Sequence, residues 1–403
     1  MRAAVLAMFL APGLATSALS AVLPAGTELN IRLADKVASD APVTTATVNA
    51  VVVIPVVMNG AVVLPAGAYL KGTVQQAKAG SATERAQLQL VFTEIGDGAY
   101  KTKISAVVGS LDNARESVDD KGVITGIDAA QTFGSQLDKG IAKLEANDRF
   151  AALAGIIQGA RQALKIGEVN PNIDYDPGAE LTLKLTQPLD WRGPVQGLEA
   201  RLQPFANEAA LIDLVNRQPF RTVAADPPRA SDLTNIMFIA TETELRTAFE
   251  KAGWSAAARL DGASKLETAR ALIEDRGYKE GPMSILLLDG NPPAMAWQKG
   301  NNTFAQRHHL RIFRRPGTFA GKPVWVCSAT HDTGIDFSDR DHTFIHRIDP
   351  LIDKERAKVV SDLLYTGMVR SLALVGRPDV PVNATNATGD TLETDGRMAV
   401  LMF

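Results

Sequence analysis

Arg307-His308-His309-Leu310-Arg311-Ile312-Phe313, followed at Val324 to Thr330 by Val-Trp-Val-Cys-Ser-Ala-Thr, is the stretch on which the reading of this 403-residue chain turns. Both segments are short, rich in apolar and β-branched residues and without a helical period, so each is read as a strand. Alternate residues of a strand share a face. Arg307, His309 and Arg311 then point one way, and His308, Leu310 and Ile312 the other. Further strands are predicted at Ile236 to Ala240 and, late in the chain, at Ser371 to Val375 and Met398 to Phe403. Met283 to Leu288 and Ala294 to Gln298 read as a hairpin. Thr241 and Glu244 form a capping box for a helix ended by Gly253, and Ser264 with Glu267 repeats the signature. Asp349-Pro350 reads as the N-cap and first position of a third helix, to about Tyr365. Strands and helices interleave without regular βαβ spacing, which predicts an α+β mixed sheet layered with helices over residues 233–403.

Working upstream, three phrases place a Pro-Gly turn before an alternating strand: Leu23-Pro24-Ala25-Gly26, Leu64-Pro65-Ala66-Gly67 and Asp176-Pro177-Gly178. With the β-branched run Val48 to Val57, interrupted by Pro55, and the alternation of Leu88, Leu90 and Phe92, they predict an all-β barrel or sandwich over residues 22–189. A helical hairpin at about 126–168 interrupts it. Phe133, Leu137, Ile141 and Leu144 make one stripe, and Phe150, Leu153, Ile157 and Leu164 the next. Gly155 and Gly159 are read as a close helix contact. The charges of Asp138, Lys139, Lys143 and Arg149 favour packing against protein over spanning a membrane. Residues 190–232, punctuated by Pro194, Pro204, Pro219, Pro227 and Pro228, read as a linker with one short helix around Ala206 to Asn216. The expectation is a two-domain protein.

The composition is that of a folded soluble chain, 46% apolar and 22% charged, with net charge −3. That balance gives no reason to expect nucleic acid as a partner. Arg2, the apolar run Ala3 to Leu14 and small residues to Ala21 read as a signal peptide, residues 1–21. No later stretch reaches the ~18 apolar residues of a transmembrane helix. Cys327, the one cysteine, sits mid-strand among apolar residues and reads as an inert buried thiol. Together these features predict a periplasmic or secreted protein, associated with the cell envelope.

All five histidines lie between His308 and His346. Imidazole titrates near neutral pH and is the commonest metal ligand, so this window is where chemistry is sought. His308, with apolar neighbours, reads as a hydrogen-bonded core histidine. His309 between Arg307 and Arg311 suits an anionic ligand, with Gln298 alongside; the alternative is a polar sheet face whose arginines pair with aspartates. His331-Asp332 is read at the end of a strand, His331 as ligand or general base and Asp332 as its orienter. His346 completes the catalytic candidates with His331 and Asp332. His309, His331 and His346 would supply three ligands to a divalent metal such as zinc if their strands were adjacent. His342 falls in a polar loop, and Asp353 and Arg356 share a helical face. No H-E-x-x-H, G-x-S-x-G, P-loop or G-x-G-x-x-G pattern is present.

Two resemblances follow. The phrases Ala296-Trp297-Gln298-Lys299, Arg307 to Phe313, Pro323-Val324-Trp325-Val326, Ala329-Thr330-His331-Asp332-Thr333-Gly334, His346-Arg347-Ile348-Asp349-Pro350 and Asp353-Lys354-Glu355-Arg356, in that order, make residues 229–376 resemble the LssY C-terminal domain family of bacterial envelope proteins. That resemblance implies the identity of the domain rather than an activity. The repeated Pro-Ala-Gly turns, strand order and inserted hairpin of residues 23–189 are similar to the C-terminal β-barrel of the VirB/TrbI family of type IV secretion proteins. The functional expectation is an exported envelope protein binding an anionic, phosphorylated ligand at His309, Arg311, His331, Asp332 and His346. The residue types do not decide whether that ligand is also hydrolysed; if it is, Arg311 would clamp the developing charge. The rival expectation is a non-enzymatic scaffold or interaction module of an envelope complex.

Overall fold

The computed structural model describes residues 21–403 apart from 42–46, 60, 147–150, 165, 196–201, 226, 259–261, 279–280, 282, 304 and 339–342. The expected leader therefore lies outside the described residues except for Ala21, and Arg149, Phe150 and His342 lie outside them too.

The three Pro-Gly phrases are turns of one kind. Gly26, Gly67 and Gly178 have φ of +87°, +96° and +99°, a region open to glycine at little cost. Their N–H groups donate to the carbonyls of Leu185, Val52 and Leu33, tying each turn to a neighbouring strand. Each turn delivers a strand: Glu28–Leu33, Tyr69–Lys78 and Glu180–Leu185. These close into a six-stranded barrel in the order Gln87–Asp97, Tyr69–Lys78, Thr47–Val52, Glu28–Leu33, Glu180–Leu185, Tyr100–Leu111 and back to Gln87–Asp97. Closure removes exposed strand edges. Alternation fills the interior with Leu29, Ile31, Leu88, Leu90, Phe92, Leu181 and Leu183. The β-branched run divides at Pro55 into Thr47–Val52 and Val56–Met58, since proline cannot donate to a ladder.

Helices α1 (Phe133–Glu145) and α2 (Ala151–Ala163) precede the last barrel strand, where the hairpin was expected. Arg161 and Asp138 pair between them. Gly155 and Gly159 do not make the predicted contact: both are exposed, and a Cβ on either would meet nothing within 4 Å. The close approach is at Gly134 instead, where a Cβ would collide with the Ile273 carbonyl of the second domain. Arg270 Nε donates to the Leu164 carbonyl (2.6 Å) and Glu274 Oε1 accepts from Gly167 N (2.6 Å), so the hairpin packs on the second domain.

That domain starts earlier than predicted. After α3 (Glu208–Asn216), Arg221–Ala225 and Pro228–Leu233 pair, and the first also pairs with Leu286–Leu287. Part of the expected linker is thus sheet. The expected hairpin of 283–298 does not form, because Met295–Lys299 pairs instead with Arg307–Phe319. The main sheet runs Ser255–Ala256, Met295–Lys299, Arg307–Phe319, Lys322–Ser338, Ile236–Ile239, Arg397–Met402, Ser371–Gly376; Thr343–Ile348 pairs with Lys322–Ser338 beside this path. Its one parallel pairing along the path joins Ile236–Ile239 to Arg397–Met402, so the sheet is mixed. Ala320 and Gly321, with φ of +48° and +77°, turn the central hairpin, and its register shifts at a bulge between Arg314 and Thr318 that carries Pro316.

Helix α4 (Glu242–Lys251) carries the Thr241/Glu244 capping box. Helix α5 begins at Gly262, so Ser264 lies in its first turn and not at its N-cap. Helix α6 spans Ile352–Tyr365, beginning two residues after Pro350. Asp349 is therefore not its N-cap; its Oδ1 accepts from Leu351 N (2.9 Å) in a turn that precedes the helix. Leu245, Phe249, Val359 and Leu363 of α4 and α6 cover one sheet face with Phe238, Leu310 and Ile312. Leu211 and Val215 of α3, with Leu286 and Leu288, cover the other, against Met237, Phe313 and Val326. No helix among the described residues is long and apolar enough to cross a membrane.

Candidate functional site at the seam of the two domains

The central hairpin register decides which histidines meet. His308 pairs with His331, and Arg307 with Asp332. Paired residues share a face, so the histidine window divides into two clusters back to back across one sheet.

On the face covered by α3, the organising group is the Asp332 carboxylate, 1% exposed. Arg307 Nε donates to Oδ2 (2.9 Å), His309 Nε2 meets Oδ1 (2.8 Å), and His346 Nδ1 stands 3.2 Å from Oδ2. Arg307 also donates to Gln298 Oε1 (2.8 Å), whose amide donates to the Gly281 carbonyl (2.9 Å). Arg311 reaches Asp232 (3.4 Å) and the Ser284 carbonyl (3.1 Å). Burial alone would raise the Asp332 carboxyl; His309, His346 and Arg307 together hold it far below the usual carboxylate range. Burial, with Arg307 and His309 nearby, pushes His346 down to about 4 although Asp332 opposes the shift. The predicted ligand residues Arg307, His309, Arg311 and Gln298, and the predicted catalytic Asp332 and His346, thus converge, but largely on one another. This is the alternative arrangement, arginines paired with aspartates.

On the α6 face, His308 and His331 stack with ring centroids 4.4 Å apart at 21°. His308 is buried as predicted, yet its partners are ionic: Nδ1 lies 2.6 Å from Glu355 Oε2 and Nε2 3.0 Å from Asp112 Oδ2. Burial opposes protonation of His308, but Glu355 and Asp112 outweigh it and push the imidazole up to about 10. Asp112 lies at the end of a barrel strand, so this contact crosses the domain seam. So does that of His331, whose Nε2 lies 2.7 Å from Asn113 Oδ1. Asn113 Nδ2 donates to the Lys299 carbonyl (3.4 Å), which turns its oxygen to the imidazole. His331 therefore carries its hydrogen on Nε2 and its lone pair on Nδ1. Burial and the charge on His308 lower its affinity for a second proton. His331 lies mid-strand in Lys322–Ser338, not at a strand end as expected.

A second layer of charge locks the seam. Glu180 of the barrel accepts from Lys299 (2.5 Å), Lys358 (2.9 Å) and Arg32 (2.6 Å). Asp362 accepts from Lys299 (3.1 Å), Lys358 (2.7 Å) and the Trp254 indole (2.8 Å). Burial would raise Glu180, but the cations hold it well below its usual value. Residues 355, 358 and 362 are one helical stripe of α6 facing the seam.

Between this stripe and the barrel lies a cavity of about 340 Å³. Asn30 and Asp112 line it from the barrel; His308, His331, Lys354, Glu355 and Lys358 line it from the second domain. Asp112, His308 and His331 each offer a ligand atom, all within 4.8 Å of one another. The predicted metal trio is not assembled, because His331 faces away from His309 and His346. Sequence reasoning missed Asp112, Asn113 and Glu355. Cys327, fully buried with its thiol pushed well up by that burial, is the inert residue expected.

Residues 221–398 match the LssY C-terminus family. The match spans nearly the whole second domain, including the strands Arg221–Ala225 and Pro228–Leu233. The LssY C-terminus-like domain thus supplies both faces of the sheet, while the barrel supplies Asp112 and Asn113. No curated protein matches the chain. Among solved structures, ComB10 of the Com type IV secretion system of Helicobacter pylori is similar at 15% identity, covering 44% of this chain and 94% of that one, with a TM-score of 0.24, a likeness too slight to argue from.

Proposed function

We propose that this chain is an exported protein of the bacterial cell envelope that binds a small anionic, phosphate-like ligand in the cavity between its barrel and its LssY C-terminus-like domain. The cavity carries the reading. It is of the size that takes a small molecule, and both domains bring polar groups to it. Lys354, exposed beside Asp349, and Lys358, paired with Glu180 and Asp362, bring two ammonium groups to its wall, Asn30 an amide and Leu351 an apolar surface. His331 supplies a lone pair oriented by Asn113, the arrangement a proton acceptor needs if the ligand is also hydrolysed. The anion is thereby moved off the Arg307–His309–Arg311 face, whose guanidinium groups already hold Asp332 and Asp232. The leader-like residues 1–21 support export.

The test is calorimetric and thermal titration of the purified chain with inorganic phosphate and pyrophosphate. Saturation to ten times Kd should stabilise the fold by about 1.4 kcal/mol. The gain should vanish in His331→Gln and shrink in Lys354→Ala. No stabilisation by either anion at millimolar concentration would overturn the ligand, and a chain retained in the cytosol on cell fractionation would overturn export. The charge network across the seam favours a second reading, a scaffold whose polar groups only lock two domains together. In that case His331→Gln changes stability and no binding.

A further inference from the structure

The geometry points to a divalent transition-metal site of the zinc class in this cavity, with Asp112, His308 and His331 as ligands and an open coordination position toward the bound anion. The inference builds on the ligand-binding reading of the same cavity and adds the cation that would receive the anion. Four observations carry it.

The first is the donor set. Two imidazoles and a carboxylate come from three separate strands or strand ends, with ligand atoms within 4.8 Å of one another. Ligands on a tetrahedral zinc with bonds near 2.1 Å stand about 3.4 Å apart, so the widest pair need close by no more than about 1.4 Å. The second is the orientation of the rings. A metal-bound histidine almost always gives its other N–H to an oxygen acceptor. His308 Nδ1 does so to Glu355 (2.6 Å) and His331 Nε2 to Asn113 (2.7 Å), leaving one nitrogen of each ring for a ligand bond. The third is Glu355 Oε1, buried in the cavity wall with no hydrogen-bond partner among the described residues. An unsatisfied buried carboxylate oxygen is costly, and a donor brought to it on ligand binding would relieve that cost. The fourth is charge. His308, Lys354 and Lys358 already stand against Asp112, Asp349 and Glu355 on the cavity wall. With His308 neutral, as a metal ligand must be, the two lysines and three carboxylates on that wall sum to −1, and a divalent ion turns this to +1, which favours an anion. Three protein ligands with an adjoining cavity is the pattern of a zinc site that keeps one position open.

The experiment is elemental mass spectrometry of the full chain, purified without chelator and then reconstituted with zinc chloride. Alongside it, cobalt(II) is titrated into the wild-type protein and followed by its visible absorption. About one metal per chain is expected, with the intense spectrum of low-coordinate cobalt. Asp112→Asn and His331→Gln should fall below a tenth of that loading, and Asn113→Leu should weaken binding 10- to 100-fold, as loss of an orienting partner does. His346→Gln should load normally. Circular dichroism separates loss of metal from loss of fold, and the cobalt spectrum needs no variant at all. No metal after reconstitution of the folded wild type would overturn the site, as would full loading of Asp112→Asn or His331→Gln. Phosphate titration of the apo and loaded protein separates the two readings. Phosphate bound without metal removes the cation alone, and metal bound without any effect of phosphate removes the anion alone.

Discussion

The two faces of the Arg307–Phe319 and Lys322–Ser338 hairpin carry the same residue types and do different things with them. On the α3 face one buried carboxylate, Asp332, gathers Arg307, His309 and His346. On the α6 face His308 lies between Glu355 and Asp112, and His331 leans on Asn113, beside a cavity that the barrel closes. A cluster whose charges are met within its own domain is built for stability. One that borrows its partners from another domain and keeps space beside it can also take a ligand. Chemistry-bearing residue types therefore do not by themselves mark a site; where their partners come from does.

The largest expected effect tests the stabilising half of this contrast. Asp332→Ala removes the buried carboxylate that Arg307, His309 and His346 share and should cost about 4 kcal/mol in urea unfolding, as removal of one partner of a buried pair does. A loss below 1 kcal/mol would show that the α3 face is not held by its carboxylate. Next comes the seam. Glu180→Ala leaves Lys299, Lys358 and Arg32 to share Asp362 alone and should cost about 3 kcal/mol. In calorimetry it should also split one cooperative transition into two, because two of the three lost contacts, to Lys299 and Lys358, join the domains. A single transition at unchanged temperature would mean that the seam contributes little.

A pH dependence distinguishes the faces more finely. His346 is held at about 4 by burial, with Arg307 and His309 nearby, against about 6.5 in an unfolded chain. Below pH 6.5 the unfolded chain takes up a proton that the folded protein refuses until about pH 4, so stability falls as the pH drops through that window. Between pH 7 and pH 5 the loss from this group is about 2 kcal/mol. It should be visible as a drop in urea midpoint, and His346→Gln should flatten it. An equally steep drop in the variant would assign the acid sensitivity to other groups.

Much of the fold was legible because local rules were strong. The Pro-Gly turns require positive φ, and their strands follow at once. The alternation of Arg307, His309 and Arg311 against His308 and Leu310 predicted the division of faces on that strand. The partner strand was also within reach. A two-residue turn at Ala320-Gly321 makes an antiparallel hairpin in which residues whose numbers sum to an odd total share a face. That parity survives the bulge and puts His331 with His308, not with His309. Grouping His331 with His309 and His346 overlooked the turn. Asp112 and Asn113 carried no comparable signal, since they precede His308 by almost two hundred residues and meet it only when the barrel docks. Glu355 looked like any charged residue in a helix, and what distinguishes it, an unpartnered oxygen beside a cavity, exists only in the folded protein.

The smallest expected change in stability is the most telling for function. His331 is half-buried and gives one hydrogen bond across the seam, to Asn113. Such a bond is worth about 1 kcal/mol net. His331→Gln keeps a side-chain amide able to donate to Asn113 and should cost no more than that, far less than Asp332→Ala, although the two residues are neighbours in sequence. If the α6 face is a site, this mild variant abolishes phosphate and metal binding while Asp332→Asn, where it folds, retains them. If His331→Gln instead destabilises the fold as severely as Asp332→Ala, the two faces are alike after all, and both serve only to hold the sheet together.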